Sequence, residues 1–155
     1  MNFEVRKSKL SDLGPALQLD KEAFGVDSWT VLDYAGVFSI RDVKKFTAVA
    51  EGKFAGFAAS EFDAERGAVC LLTLAVRPEY REMGIGTALL RHCEEAFPVR
   101  RYYLNVDVEN RTAIRLYEKS GYSRTGIEQA YYLNGHDALI MEKPAENNSR
   151  TKSPV

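Results

Sequence analysis

The chain is poor in the residues that hold metals and form cross-links. It has two cysteines and two histidines among 155 residues. Cys70 and Cys93 lie far apart and within apolar runs, so they are expected as reduced core thiols of a cytoplasmic protein. With only His92 and His136 to offer imidazole, a zinc site of ordinary spacing lacks ligands, and no metal is expected. An excess of one charge is also missing: 21 basic and 22 acidic residues leave a net charge of −1. That balance argues against the broad basic face a nucleic-acid binder needs. No apolar run approaches membrane-spanning length, and the start, MNFEVRKSKL, lacks the apolar segment of a secretory leader. Neither nucleic acid nor membrane is therefore expected as a partner, and no internal repeat is visible.

Apolar residues are plentiful, at 45%, enough to bury a core in a chain of one-domain length. Phe3 and Val5 alternate with Glu4 and Arg6, predicting a strand over 2–7. Ser11 is read as the N-cap of a helix carrying Leu13, Ala16, Leu17, Asp20 and Phe24 and ending at Gly25. SWTVLDYAGVF (28–38) predicts a second, shorter helix. Thr47–Ala50 and Phe54–Glu61 flank Glu51-Gly52-Lys53 as a hairpin, and Arg66-Gly67 marks a further turn. VCLLTLAV (69–76) is almost unbroken apolar, as in a central strand buried on both faces. A helix over 84–97 follows, its inner face read as Ile85, Ala88, Leu89, His92 and Ala96. A strand over 102–108 precedes a helix capped by Asn110, with Ala113, Ile114, Leu116 and Tyr117 inward and Gly121 as terminator. Strands at 122–128 and 137–143 close a domain over 1–143, and the polar stretch 144–155 is expected to be disordered. The order predicts a mixed α/β sheet, with the 84–97 helix crossing between parallel neighbours.

Between the central strand and that helix stands Arg81-Glu-Met-Gly-Ile-Gly-Thr. A first helical turn carries unpaired N–H groups and a partial positive charge. Glycine at 84 and 86 would let a phosphate approach them, with Arg81 adding charge at the same mouth. The other reading is a tight turn with close helix packing, and spacing alone leaves both open. No Gly-Lys-Ser/Thr follows, and position 89 is leucine, so neither a Walker A loop nor a full dinucleotide fingerprint is present.

LAVRPEYREMGIGTALL resembles the acetyl-CoA motif of the GNAT N-acetyltransferases, and ENRTAIRLYEKSGY resembles the family's next segment. The likeness spans residues 3–143. Near the end, YYLNGHDALIMEK is similar to the closing segment of RimI-type ribosomal-protein and related protein N-terminal alanine acetyltransferases. The resemblance implies the GNAT fold, an α/β fold with a mixed, mostly antiparallel sheet splayed at the cofactor cleft and about four helices. It implies acetyl-CoA as donor and no metal. The pyrophosphate would sit on the backbone N–H groups of Glu82, Met83, Gly84, Ile85, Gly86 and Thr87, beside Arg81. The pantetheine arm would pair with the main chain of Leu74, Ala75 and Val76, with Asn110 reaching it from the next helix.

The implied chemistry is direct acetyl transfer to a primary amine. In the family a strand N–H, here Leu74, polarises the thioester carbonyl. Tyr117 stands where the general acid protonates the departing thiolate; spacing alone favours a core aromatic, and the resemblance reverses that. Tyr131 and Tyr132 would line the slot for a peptide N-terminus, or pack as a hairpin pair. Phe24 and Trp29 fall at one wall of the acceptor cleft, as substrate contacts or as loop anchors. One departure stands out: RimI-type enzymes carry a glutamate base where this chain has Asn105. Asp107 shares the strand face with Asn105, so it is either a substitute base or a strand-end carboxylate. The acceptor is expected to be a protein or peptide N-terminus; a small-molecule amine, or a non-catalytic acetyl-CoA-binding role, stays open. A homodimer is also open.

Overall fold

A computed structural model describes residues 2–39 and 42–144. The predicted tail lies outside them from residue 145 on. The elements are β1 (Phe3–Lys7), α1 (Leu13–Phe24), α2 (Val31–Ser39), β2 (Val43–Ala50), β3 (Lys53–Asp63), β4 (Ala68–Val76), α3 (Ile85–Glu95), β5 (Tyr102–Asp107), α4 (Arg111–Lys119), β6 (Ser123–Glu128) and β7 (Ala138–Lys143). This is the order the sequence predicts. The strands form one seven-stranded sheet in the order β1-β2-β3-β4-β5-β7-β6. Every neighbouring pair is antiparallel except β4–β5, which is parallel and joined through α3. The apolar run of β4 therefore occupies the middle of the sheet, where both faces need covering.

Alternation along β3 sends its side chains to two cores. Phe57 and Ala59 join a cluster with Ala16, Tyr34 and Val37 beneath α1 and α2. Ala58 joins the larger cluster with Ile85, Leu89 and Cys93 of α3 and Ile114 and Tyr117 of α4. Glu51 (φ 51°) and Gly52 (φ 76°) turn the β2–β3 hairpin. Two successive positive φ values match the twist of the flanking strands.

Two local readings are corrected. Ser11 does not cap α1, because Leu10–Asp12 forms a short 3-10 turn and the Asp12 carboxylate accepts the Lys9 N–H at 2.7 Å. Buried Asp12 also binds Arg6 at 2.7 and 3.1 Å and Thr47 Oγ1 at 3.1 Å. A charged acceptor shared among three donors outcompetes a neighbouring hydroxyl. On α3 the buried stripe is Ile85, Leu89, Leu90, Cys93 and Glu94, while Ala88 and His92 are only half-buried. Glu94 turns inward because the Tyr122 hydroxyl donates to it at 2.9 Å and the Lys143 ammonium sits 3.3 Å away.

Candidate active site

The site begins with a fault in the sheet. Across β3–β4, Ala59 faces Thr73 but Ser60 faces Leu71, so Leu72 is an extra residue on β4. A bulge of this kind bends its strand and increases the local twist. Pairing between β4 and β5 is confined to Val69↔Tyr102 and Cys70↔Tyr103. Beyond the bulge Leu74, Ala75 and Val76 pair with β3 on one side only. Their other edge is a strand-length row of backbone groups facing a gap.

The glycine loop lies at the mouth of that gap. Glu82 (φ 62°) and Gly84 (φ 85°) are both left-handed, which turns the chain sharply into α3. The first bond of α3 runs from Ala88 N–H to the Gly84 carbonyl at 3.0 Å. The N–H groups of Gly84, Ile85, Gly86 and Thr87 thus have no backbone acceptor among the described residues, as at any helix start. Gly84 is required by its φ, since the space around it is open. Gly86 lies close to α4: a Cβ there would come 3.1 Å from Leu116 Cδ2, the far end of a side chain that can shift. Both glycines thus serve the turn and the close helix packing, and neither observation bears on a bound phosphate. Arg81 is exposed, and its Nε donates to the Val76 carbonyl at 3.3 Å, tying the loop to the end of β4. Glu82 and Met83 are exposed at the same turn.

α4 enters from the far side of the gap. Asn110 Oδ1 accepts the Ala113 N–H at 3.2 Å, and its side-chain NH₂ has no partner among the described residues. Two turns on, the Tyr117 ring is buried and meets Tyr122 edge-on at 5.9 Å. Its hydroxyl has no partner among the described residues. Every wholly buried side-chain polar atom among them has one, so the Tyr117 oxygen is not sealed in the core. Burial raises its pKa, helped by Tyr132 and Cys93, so it is a phenol at neutral pH and carries a proton to give.

Two further loops are tied to each other. Asp27 Oδ1, between α1 and α2, accepts the Leu133 N–H at 2.7 Å from the loop between β6 and β7. Tyr131, exposed, and Tyr132, half-buried, meet edge-on at 5.0 Å in the second loop. Trp29 faces inward, 5.2 Å from the Tyr34 ring, and its N–H donates at 2.6 Å to Asp20, a carboxylate with 2% exposure. Phe24 is half-buried at the end of α1. Asn105 is exposed on β5, its side chain on the face shared with Asp107. Asp107 is fully engaged, accepting from Glu109 N–H at 2.9 Å, Asn134 Nδ2 at 3.1 Å and His136 Nδ1 at 2.9 Å. Partial burial acts to raise its pKa, but these donors outweigh it and hold the carboxyl below its ordinary range. A carboxylate so satisfied is a weak base.

Sequence reasoning passed over His136 and Asp27. Nothing local marks Asp27, whose partner lies 106 residues away. For His136 the one signal was scarcity, as one of two histidines. No group of three metal-ligating side chains is found among the described residues, and none of their helices is long and apolar enough to cross a membrane.

The sheet is parted beside its central strand, the N–H groups that open α3 stand at the mouth, and a buried phenol lies on α4. The chain belongs to the Acetyltransferase (GNAT) family, which it matches over residues 15–122, and it is an acetyltransferase. It is 26% identical over 163 residues to an N-alpha-acetyltransferase of Sulfurisphaera tokodaii, covering 92% of this chain and 93% of that protein. It is 31% identical over 146 residues to the ribosomal protein bS18-alanine N-acetyltransferase of Escherichia coli K12, covering 90% and 96%. The crystal structure of the Escherichia coli ribosomal-protein-S18-alanine N-acetyltransferase superposes with a TM-score of 0.81 at 27% identity, over 97% of this chain and 98% of that one.

Proposed function

We propose that this enzyme moves an acetyl group from acetyl-CoA directly to the α-amine of a protein or peptide N-terminus. The observation that carries the reading is the parting of β4 from β5, which leaves Leu74, Ala75 and Val76 paired with β3 on one side only, just ahead of the glycine loop that opens α3. Support for the acceptor comes from relatives named for N-terminal substrates that align over nine tenths of the chain.

In this reading the backbone of Glu82 to Thr87 and Arg81 receive the pyrophosphate. The exposed edge of Leu74, Ala75 and Val76 pairs with the amides of the pantetheine arm, and the Asn110 NH₂ donates to it. The Leu74 N–H polarises the carbonyl, where negative charge grows in the transition state. Tyr117 gives its proton to the departing thiolate. Tyr131 and Tyr132, with Phe24 and Trp29 behind the opposite loop, shape the slot for the first residues of the acceptor. Cys93 is buried inside α3 and its thiol is pushed up to about 12, so it is no nucleophile and attack is direct.

The test is free-thiol release from acetyl-CoA with peptides beginning Ala, Ser and Met, each with a free and a blocked N-terminus, beside a panel of small amines. Release that requires the free peptide α-amine is the expected result. Release only with small amines would move the assignment to a small-molecule acceptor. Binding of acetyl-CoA without turnover across the panel would overturn the catalytic reading for these acceptors.

A further inference from the structure

Acetyl transfer to an ammonium needs a proton acceptor, and neither residue on the exposed face of β5 supplies one. Asn105 is an amide, and Asp107 has its lone pairs committed to three donors. The most basic of those donors is His136. Its Nδ1 lies 3.0 and 2.9 Å from the two Asp107 oxygens, so a proton on Nδ1 is fixed there and Nε2 carries the free lone pair. The His136 side chain is 43% exposed, and no bond to Nε2 is found among the described residues. Two backbone bonds and one side-chain bond hold the loop that presents it: Tyr132 N–H to the His136 carbonyl at 3.2 Å, Gly135 N–H to the Tyr132 carbonyl at 2.9 Å, and His136 N–H to Asn134 Oδ1 at 2.8 Å. The same loop carries Tyr131 and Tyr132 and is bonded to Asp27.

We propose that His136, oriented by Asp107, is the group that takes the proton from the acceptor amine. The assignment rests on the N-terminal acetyltransferase reading above. Asp107 lies about 7 Å along the strand from Asn105, and in the proposed arrangement a water stands between Nε2 and an amine bound beside Asn105. Protons and electrons balance as follows. The ammonium gives its first proton through that water to Nε2, which passes it to solvent. The neutral nitrogen forms the C–N bond and the thioester C–S bond breaks. Tyr117 protonates the thiolate, and the second proton leaving nitrogen restores the Tyr117 phenol. Three acidic groups face the imidazole, namely Asp107 from β5, Glu109 from the turn after it and Asp27 from the α1–α2 loop. The bond to Asp107 and these negative charges raise the His136 pKa. The base form is therefore present above that raised value and is lost as pH falls through it.

The experiment is the pH profile of kcat/KM for thiol release with an unblocked N-terminal peptide, on wild type, His136→Gln, His136→Ala and Asp107→Asn, with acetyl-CoA Kd measured for each. In wild type the profile should level off below the amine's own pKa. In His136→Gln it should fall about 10²-fold at pH 7 and keep climbing to about pH 8, with Kd unchanged. Added imidazole should restore part of the rate to His136→Ala, and Asp107→Asn should move the limb to lower pH. The proposal is overturned if His136→Gln stays within about threefold of wild type with the same limb. An equal fractional loss at every pH, without imidazole rescue, also overturns it by marking a structural role. If wild type itself shows no turnover with any free N-terminus, the N-terminal reading fails, and the His136 assignment with it.

Discussion

Gly56 tests the claim that the gap beside β4 is shaped by backbone. It sits on β3 opposite Val76, and a Cβ added there would lie 2.9 Å from the Ala75 carbonyl oxygen, 3.1 Å from Leu89 Cδ1 and 3.4 Å from Val76 Cα. The first and last of these are backbone atoms of the strand that borders the gap, and they cannot rotate away. Gly56→Ala should therefore cost about 1–3 kcal/mol of overpacking, offset by about 0.4–1 kcal/mol of lost unfolded-state entropy. A net loss of about 1–2 kcal/mol corresponds to a drop of about 2–8 °C in Tm for a domain of this size. Because Ala75 and Val76 are the atoms displaced, acetyl-CoA affinity should fall in the same variant. Gly86→Ala is the internal control. There the added Cβ meets the far end of a side chain, Leu116 Cδ2 at 3.1 Å, which can turn aside, and alanine gains about 0.8–1 kcal/mol of helix propensity. Scanning calorimetry with and without acetyl-CoA, together with a calorimetric titration, reads both effects. The reasoning is refuted if Gly56→Ala melts within a degree of wild type at unchanged Kd, or if Gly86→Ala is the more damaging change.

Tyr117→Phe keeps the ring that packs on Tyr122 and removes only the hydroxyl. It should lower kcat by about 10²-fold or more with acetyl-CoA Kd unchanged, and a kcat within about threefold would make Tyr117 a core aromatic alone. Asp12 governs acid stability. Burial acts against its charge, but the bonds from Arg6, the Lys9 N–H and Thr47 prevail and hold its pKa below the ordinary value. Its contribution is therefore complete above the unfolded pKa of about 3.9 and is lost as pH falls through the lower folded value. Asp12→Asn should cost about 1–3 kcal/mol at pH 7 and little in acid; denaturant titrations giving the same difference at pH 7 and pH 2.5 would contradict this.

What could be read from the sequence is what local chemistry decides. β4 announces itself because a strand covered on both faces needs apolar residues at every position, and Asn110 because an N-cap bond spans three residues. Gly84 is legible because a left-handed turn admits few other residues. The Ser11 reading failed within the same local logic, since two adjacent candidates competed and the charged one had partners on β1 and β2 that the sequence does not show. The parting of β4 from β5 depends on a bulge at Leu72, and one leucine within VCLLTLAV carries no mark of it. Gly56 reads as a weak strand residue until the approach of Ala75 is known. The acceptor wall is harder still, because Asp27–Leu133 and Asp107–His136 join residues on separate loops whose pairing only the closed sheet decides.

The absence of a carboxylate at Asn105 bears on which amine is accepted. Whichever group takes the proton, the free energy of producing a neutral nucleophile is set by the amine. An α-amine with a pKa near 7.9 is roughly one tenth neutral at pH 7, whereas a lysine near 10.4 is neutral in about one molecule in 2,500. The difference of about 2.5 units is about 3.4 kcal/mol, or about 300-fold in reactive species before any difference in intrinsic nucleophilicity. A strong local base eases proton removal from either amine, but a histidine is better matched to the α-amine. On a peptide with one free α-amine and one internal lysine, acetylation at pH 7 should thus fall on the N-terminus by two orders of magnitude or more. The bias should narrow to about 25-fold at pH 9, where the α-amine is nearly all neutral and only the lysine still gains. Mass mapping of the acetylated positions at both pH values decides the matter. Comparable labelling of the lysine at pH 7 would refute the reasoning, because the cleft would then be lowering the bound lysine's own pKa or holding that amine in preference.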